Sequence, residues 1–149
     1  MPVRCFTVGV FQDVPWASRG LDALARHGFA AESLTVLAKD SPDVRALITR
    51  QLRADPEVLT IEGLGSVAAR GPLIPTLQGS DGDLATRGLA STIGRAGFQK
   101  HDGQIFERLT ARGGVLVAVH NEPRAADALA TLHAYGGGNA AIGAWTGRL

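Results

Sequence analysis

A repeat within the chain constrains its fold more than any other feature. The segment VGVFQDVPWASRGLDALARHG, residues 8–28, aligns without a gap with LVAVHNEPRAADALATLHAYG, residues 116–136, at an offset of 108 positions. The identical pairs are Pro15 and Pro123, Ala17 and Ala125, Leu21 and Leu129, Leu24 and Leu132, and Gly28 and Gly136. Proline is common in the first turn of a helix, leucines spaced by three lie on one helix face, and glycine often ends a helix. The repeat therefore indicates two copies of one structural unit.

Each copy has the pattern of a strand, a helix and a second strand. CFTVGVF and VLVAVH are short runs rich in β-formers, and the aligned Asp13 and Asn121 are residue types that cap a helix start. The second strands are SLTVLAK, residues 33–39, and NAAIGAW, residues 139–145. Two such units predict an α+β fold, a ferredoxin-like split βαβ sandwich, with the first and third strands paired at the sheet centre and the second and fourth at its edges.

The residues between the two copies predict a large insertion that is mainly helical. The boundaries that follow are a first unit at 3–40, an insertion at 41–114 and a second unit at 115–147, within one domain spanning 1–149. Helices are expected over residues 41–53, where Ser41 is a candidate N-cap, and over 83–97 and 99–112. VLTIEGLG is either a short strand or an extended segment.

The apolar stretch IEGLGSVAARGPLIP, residues 61–75, is interpreted as a packed connection. It lacks the lysine of a phosphate-binding loop, and Gly63-Leu64-Gly65 is not followed by the third glycine of a dinucleotide fingerprint. Its apolar residues Val67, Leu73 and Ile74 are expected to pack there, and a patch of this kind is also a candidate oligomer interface.

Composition argues against several classes of protein. Fifteen Lys and Arg oppose fourteen Asp and Glu without a basic stripe, so no nucleic-acid partner is expected. No apolar run approaches the roughly 20 residues of a membrane span, so no membrane association is expected. The single cysteine, Cys5, excludes an internal disulfide. The expectation is a soluble, cytoplasmic protein.

The chemically interesting residues form no familiar catalytic pattern. The four histidines have no metal-ligand spacing, so neither a metal nor another cofactor is expected. Gln12, Asp13, His120 and Asn121 follow the two central strands and are the candidate ligand-binding residues. An enzyme using Cys5 or His120 is a weaker alternative, and we expect no catalytic residues.

Two tryptophans are further candidates for contact with a partner. Trp16 lies just inside the first predicted helix, where its counterpart in the repeat is Arg124. Trp145 lies on the last predicted strand, and an edge strand with apolar side chains favours pairing with another chain. Both are therefore interface candidates.

Residues 8–40, VGVFQDVPWASRGLDALARHGFAAESLTVLAKD, resemble the opening of the bacterial general stress proteins of the heat-induced type. IEGLGSVAARGPL and RGGVLVAVHNE are similar to later segments of that family, and the resemblance spans Cys5 to Trp145. It implies a stress-associated protein and transfers no catalytic residue. The expected function is therefore non-enzymatic, through protein–protein contact or self-assembly as a homo-oligomer. The alternative is a small-molecule-binding regulatory domain with a cleft at the central strand ends.

Overall fold

A computed structural model of the chain describes residues 6–120, 125–132, 134 and 144–146. The strands are β1 (Thr7–Phe11), β2 (Leu34–Lys39), β3 (Glu57–Ile61), β4 (Gly65–Arg70), β5 (Val115–Val119) and β6 (Ala144–Thr146). The helices are α1 (Val14–Arg26), α2 (Pro42–Leu52), α3 (Leu73–Gln78), α4 (Asp83–Arg87), α5 (Leu89–Thr92), α6 (Lys100–Ala111) and α7 (Ala125–Leu132). Two short 3₁₀ segments, Ala31–Ser33 and Ile93–Ala96, precede β2 and follow α5.

The strands form one sheet in the order β3-β4-β2-β5-β1-β6, and every neighbouring pair is antiparallel. The predicted pairing of the first and third strands is present, because β1 lies against β5 with Thr7 opposite Val119 and Phe11 opposite Val115. The structure corrects the predicted position of the second strand. β2 does not lie at the edge, because the β3–β4 hairpin from the insertion extends the sheet beyond it.

Helices cover both faces of this sheet. On β5, Val115, Val117 and Val119 belong to the apolar cluster beneath α1, α2 and α7, which we call the α1 face. Leu116 and Ala118 belong to the cluster beneath α3 to α6, which we call the α6 face. Because successive side chains of a strand point to opposite faces, β1, β2 and β5 are buried almost throughout.

The two helices with the clearest sequence signals begin as predicted. Asp13 adopts an extended conformation and its carboxylate accepts a hydrogen bond from the backbone N–H of Trp16 at 2.9 Å. Ser41 does the same for the N–H of Val44 at 3.1 Å, with Pro42 in the first turn of α2. Such caps satisfy backbone donors that have no partner within the helix.

The insertion combines five helices, α2 to α6, with the hairpin of β3 and β4. Residues 61–75 are not a mere connection, since they contain the hairpin turn, all of β4 and the start of α3. The single helix predicted over 83–97 is divided, because Gly88 has a φ of 89° between α4 and α5. A Cβ at Gly88 would lie 2.9 Å from the carbonyl oxygen of Glu62, so the break also lets the hairpin turn approach the helices closely.

Within the described residues, none of the helices has the length and apolarity needed to cross a membrane.

Candidate binding site

The predicted ligand-binding residues do not come together. Gln12 and Asp13 follow the end of β1, whereas His120 follows the end of β5. Since these strands are antiparallel, their final residues, Phe11 and Val119, lie at opposite ends of the paired strands, about 14 Å apart along a five-residue strand. The expected convergence is therefore not found, and Asn121 lies outside the described residues.

Each of these side chains has a local structural setting. Asp13 caps α1, and Gln12 is exposed. His120 is half-buried, with its ring stacked on Phe6 at a centroid distance of 4.7 Å, and its backbone N–H donates to the carbonyl of Ser33 at 2.8 Å. His120 therefore joins β5 to the segment before β2. Cys5 lies outside the described residues.

Three of the predicted interface residues are in the core. Val67, Leu73 and Ile74 belong to the apolar cluster of the α6 face and have at most 4% of their surface exposed. They are buried because β4 and α3 fold onto the sheet, so a partner cannot reach their side chains in this conformation. Their burial agrees with the prediction that they pack in this stretch, whereas the alternative of an exposed apolar patch does not hold.

The two tryptophans have different settings. Trp16 is exposed, and the guanidinium of Arg19 lies 4.8 Å from the centroid of its ring. Its exposure leaves it available as an interface residue. Trp145 lies in β6 opposite Val8, and its side chain falls outside what the structure describes.

A groove of about 820 Å³ opens at the end of the sheet where His120 lies, which we call the groove end. Its lining comes from four places: the loop between α1 and β2, the end of α2, the start of β3, and the segment joining β4 to α3. The apolar lining includes Phe29, Leu34, Leu52 and Pro72. A groove of this volume is within the range that accommodates small molecules.

Close backbone packing builds one wall of the groove. Gly71 has a φ of 126°, and a Cβ there would collide with the carbonyl oxygen of Leu34. The hydroxyl of Thr35, which is fully buried, accepts a hydrogen bond from the N–H of Leu73 at 3.0 Å. These contacts fix the β4–α3 segment against the start of β2, so this side of the groove is preformed.

Arg53 forms the end of α2 in an unusual conformation. It lies in the left-handed region with φ 55° and ψ 38°, and is the only described residue other than glycine with a positive φ. Its N–H still donates to the carbonyl of Thr49 at 3.1 Å. This position favours glycine, because a residue with a Cβ is strained in the left-handed conformation. The arginine therefore brings a cation to the groove at a cost in backbone energy.

Four charged side chains line the groove, and they balance in sign. Arg70 and Glu57 are 3.7 Å apart and both partly exposed, which is a loose ion pair of small energy. Within the described part of the chain, the side chains of Arg53 and Glu32 have no ion-pair or hydrogen-bond partner. The groove therefore offers two cations and two anions whose hydrogen-bonding capacity is largely unused.

An unusual carboxylate lies away from the groove, in the first turn of α6. Asp102 is only 6% exposed, and within the described residues its Oδ2 atom has no hydrogen-bond partner. Its burial lowers the stability of the fold, because the oxygen loses water without gaining a donor. No three His, Cys, Asp or Glu side chains among the described residues are grouped so that they could hold a metal ion.

Sequence reasoning did not find the groove. Glu32, Arg53, Glu57 and Arg70 are far apart in the chain, and each resembles an ordinary surface charge. The available signal was the end of α2, where Arg53 takes the position that a glycine usually occupies.

Comparisons of the chain with protein-family models, with curated proteins and with solved structures found no match.

Proposed function

We propose that this protein is a non-enzymatic domain that binds a small molecule in the groove at the end of its sheet. The groove, with its preformed wall and its largely unused charges, is the observation that carries the proposal. This function corresponds to the alternative reading of the sequence, although its site lies elsewhere than Gln12 and Asp13.

The proposed framework is a ferredoxin-like split βαβ unit enlarged by the insertion. The antiparallel order β2-β5-β1-β6, together with the packing of α1 and α7 on the same face, supports this assignment. In such a framework the insertion adds the β3–β4 hairpin beside β2 and covers the opposite face of the sheet. A ligand therefore binds at the end of the sheet rather than against its face.

Self-assembly is the second candidate function, and the sheet edge favours it. β3 is an edge strand, and its Val58 is 48% exposed, more than any other large apolar side chain in the described residues. An exposed edge strand with apolar side chains pairs readily with another chain. The association with stress rests on the resemblance alone and remains a prediction.

The first experiment combines native mass spectrometry with thermal-shift measurements. The purified protein is screened against free amino acids, nucleotides, sugar phosphates and carboxylic acids. Ligand that binds only the folded state raises the melting temperature. We expect a raised melting temperature, or a co-purified mass, in the wild-type protein. The same spectra count the copies in each particle, and more than one copy supports self-assembly.

Two tryptophan variants locate the binding. Ala30 lines the groove and is exposed, so Ala30→Trp is expected to fill it and abolish the shift. Ala46, exposed on α2 outside the groove, provides the control Ala46→Trp, which retains the shift. Absence of any ligand, or a shift that survives in Ala30→Trp, overturns the proposal.

A further inference from the structure

The charges around the groove restrict what it can bind. A simple anion is attracted by Arg53 and Arg70 but repelled by Glu32 and Glu57. A simple cation is attracted by the two glutamates but repelled by the two arginines. A ligand that carries both charges gains from both sets without leaving either carboxylates or guanidinium groups unpaired. The balance of charge therefore favours a dipolar ligand over an ion of one sign.

The apolar lining restricts the rest of the ligand. Ala30 and Pro75 are exposed and Pro72 is half-buried, so these residues present apolar surface to the groove, whereas Phe29, Leu34 and Leu52 lie in the core beneath it. An apolar group placed there loses contact with water, which stabilises the complex in proportion to the area covered. A ligand with two charges at one end and an apolar body at the other fits this arrangement.

We propose that the groove binds a zwitterionic α-amino acid with a bulky apolar side chain, whose carboxylate meets Arg53 and Arg70 and whose ammonium group meets Glu32 and Glu57. This inference rests on the proposed binding function and adds the chemical class of the ligand. Arginine suits the first role, because its planar guanidinium donates two parallel hydrogen bonds to a carboxylate. Arg53 and Glu32 have no partner within the described chain, so binding breaks no bond that they already make.

The left-handed conformation of Arg53 is consistent with this role. Strained backbone tends to persist at sites where it positions a functional side chain. With φ at 55°, the residue ends α2 beside the groove and brings its cation there, whereas a glycine would end the helix without one. The strain thus coincides with a cation that has no ion-pair or hydrogen-bond partner among the residues that the structure describes.

Isothermal titration calorimetry with matched ligands tests the inference. The probes are L-phenylalanine, 3-phenylpropionate, which lacks the ammonium group, and phenethylamine, which lacks the carboxylate. L-leucine, 4-methylpentanoate and 3-methylbutylamine form a second set. We expect binding of at least one amino acid, and binding at least about tenfold weaker for its two singly charged analogues. Equal binding of an analogue overturns the zwitterion and indicates an anion or cation site.

Charge-neutral variants provide the second test. Arg53→Gln and Glu32→Gln are each expected to weaken the bound amino acid at least about tenfold. Arg87→Gln and Glu62→Gln are the controls, since both residues are exposed near the opposite end of β3. Unchanged affinity in both groove variants overturns the proposed contacts.

The outcomes separate this inference from the proposed function. If neither amino acid binds but another compound of the screen is excluded by Ala30→Trp, the ligand class is wrong and the binding function stands. If no compound at all depends on the groove, both fail.

Discussion

The two ends of the sheet differ in how completely the chain closes them. At the end where β1 finishes, which we call the capped end, the ring of Phe11 is fully buried and Asp13 caps the next helix. Asp40, which follows β2 at the same end, accepts two hydrogen bonds from Arg45, at 2.7 and 2.6 Å. At the groove end the ion pair of Arg70 and Glu57 is loose at 3.7 Å.

This difference separates polar groups that stabilise the fold through existing hydrogen bonds from polar groups that could still bond to a ligand. The carboxylates of Asp13 and Asp40 at the capped end already accept hydrogen bonds, so a ligand that used them would have to replace existing contacts. At the groove end, Arg53 and Glu32 have no partner within the described residues, and Arg70 and Glu57 form only a loose ion pair, so a ligand there displaces at most one weak contact. Substitutions at the capped end should therefore change stability alone, whereas those at the groove end should change stability and binding in opposite directions.

The largest expected effect is on stability at the capped end. In Gly20→Ala the added Cβ collides with the ring of the buried Phe11, so we expect a loss of about 1–3 kcal/mol in the free energy of unfolding. Chemical denaturation measures this loss. In the control, Gly94→Ala, the added Cβ meets no atom within 4 Å, and stability should stay the same or rise slightly.

A second variant identifies the cause of this loss. Phe11→Leu removes the atoms that the new Cβ meets, so Gly20→Ala should cost less in that background. Equal costs in the two backgrounds would show that the ring is not responsible, because contacting residues are expected to be coupled in a double-mutant cycle.

An intermediate effect is expected at Arg53, where stability and binding separate. Arg53→Gly relieves the left-handed strain and should stabilise the protein by about 1 kcal/mol, which thermal denaturation without ligand measures. The same variant removes a cation from the groove and should weaken the bound ligand. A control, Arg50→Gly, lies within α2 at a helical position, where glycine should instead destabilise by about 1 kcal/mol. Loss of stability in Arg53→Gly would contradict the strain at this position.

How far the fold could be predicted depends on whether its signals are local. The repeat predicts β1, β5 and their connection to helices, because caps and apolar spacing lie within a few residues of one another. β4 was not predicted, because its sequence GSVAAR consists mostly of small residues with a weak preference for strands. This segment becomes a strand only by pairing with β2 and β3. The division at Gly88 likewise depends on contact with the distant Glu62.

The predicted site failed for a different reason. An antiparallel arrangement of the first and third strands, which the repeat itself predicts, already separates Gln12 from His120. The groove, in contrast, could not be predicted, because Glu32, Arg53 and Arg70 come to line one groove only when three connections between elements are in place. Local patterns thus predict the capped end better than the groove end.

The smallest expected effect concerns the ion pair at the capped end. The hydrogen bonds from Arg45 hold the pKa of the Asp40 carboxyl below its ordinary value. A lowered pKa in the folded state means that the pair contributes stability above the ordinary carboxyl pKa of about 4, and that this contribution is lost as the pH falls through the lowered value. In Arg45→Gln the pKa of Asp40 should rise toward its ordinary value, as followed by NMR titration of the carboxyl carbon.

The matched variant for this comparison is Arg70→Gln at the groove end. Because the contact between Arg70 and Glu57 spans 3.7 Å, a double-mutant cycle on stability should give this pair a smaller coupling energy than the pair of Arg45 and Asp40. If the two coupling energies are equal, the charges at the groove end are as firmly paired as those at the capped end. A ligand would then have to break an internal ion pair in order to bind, and the distinction between the two ends would fail.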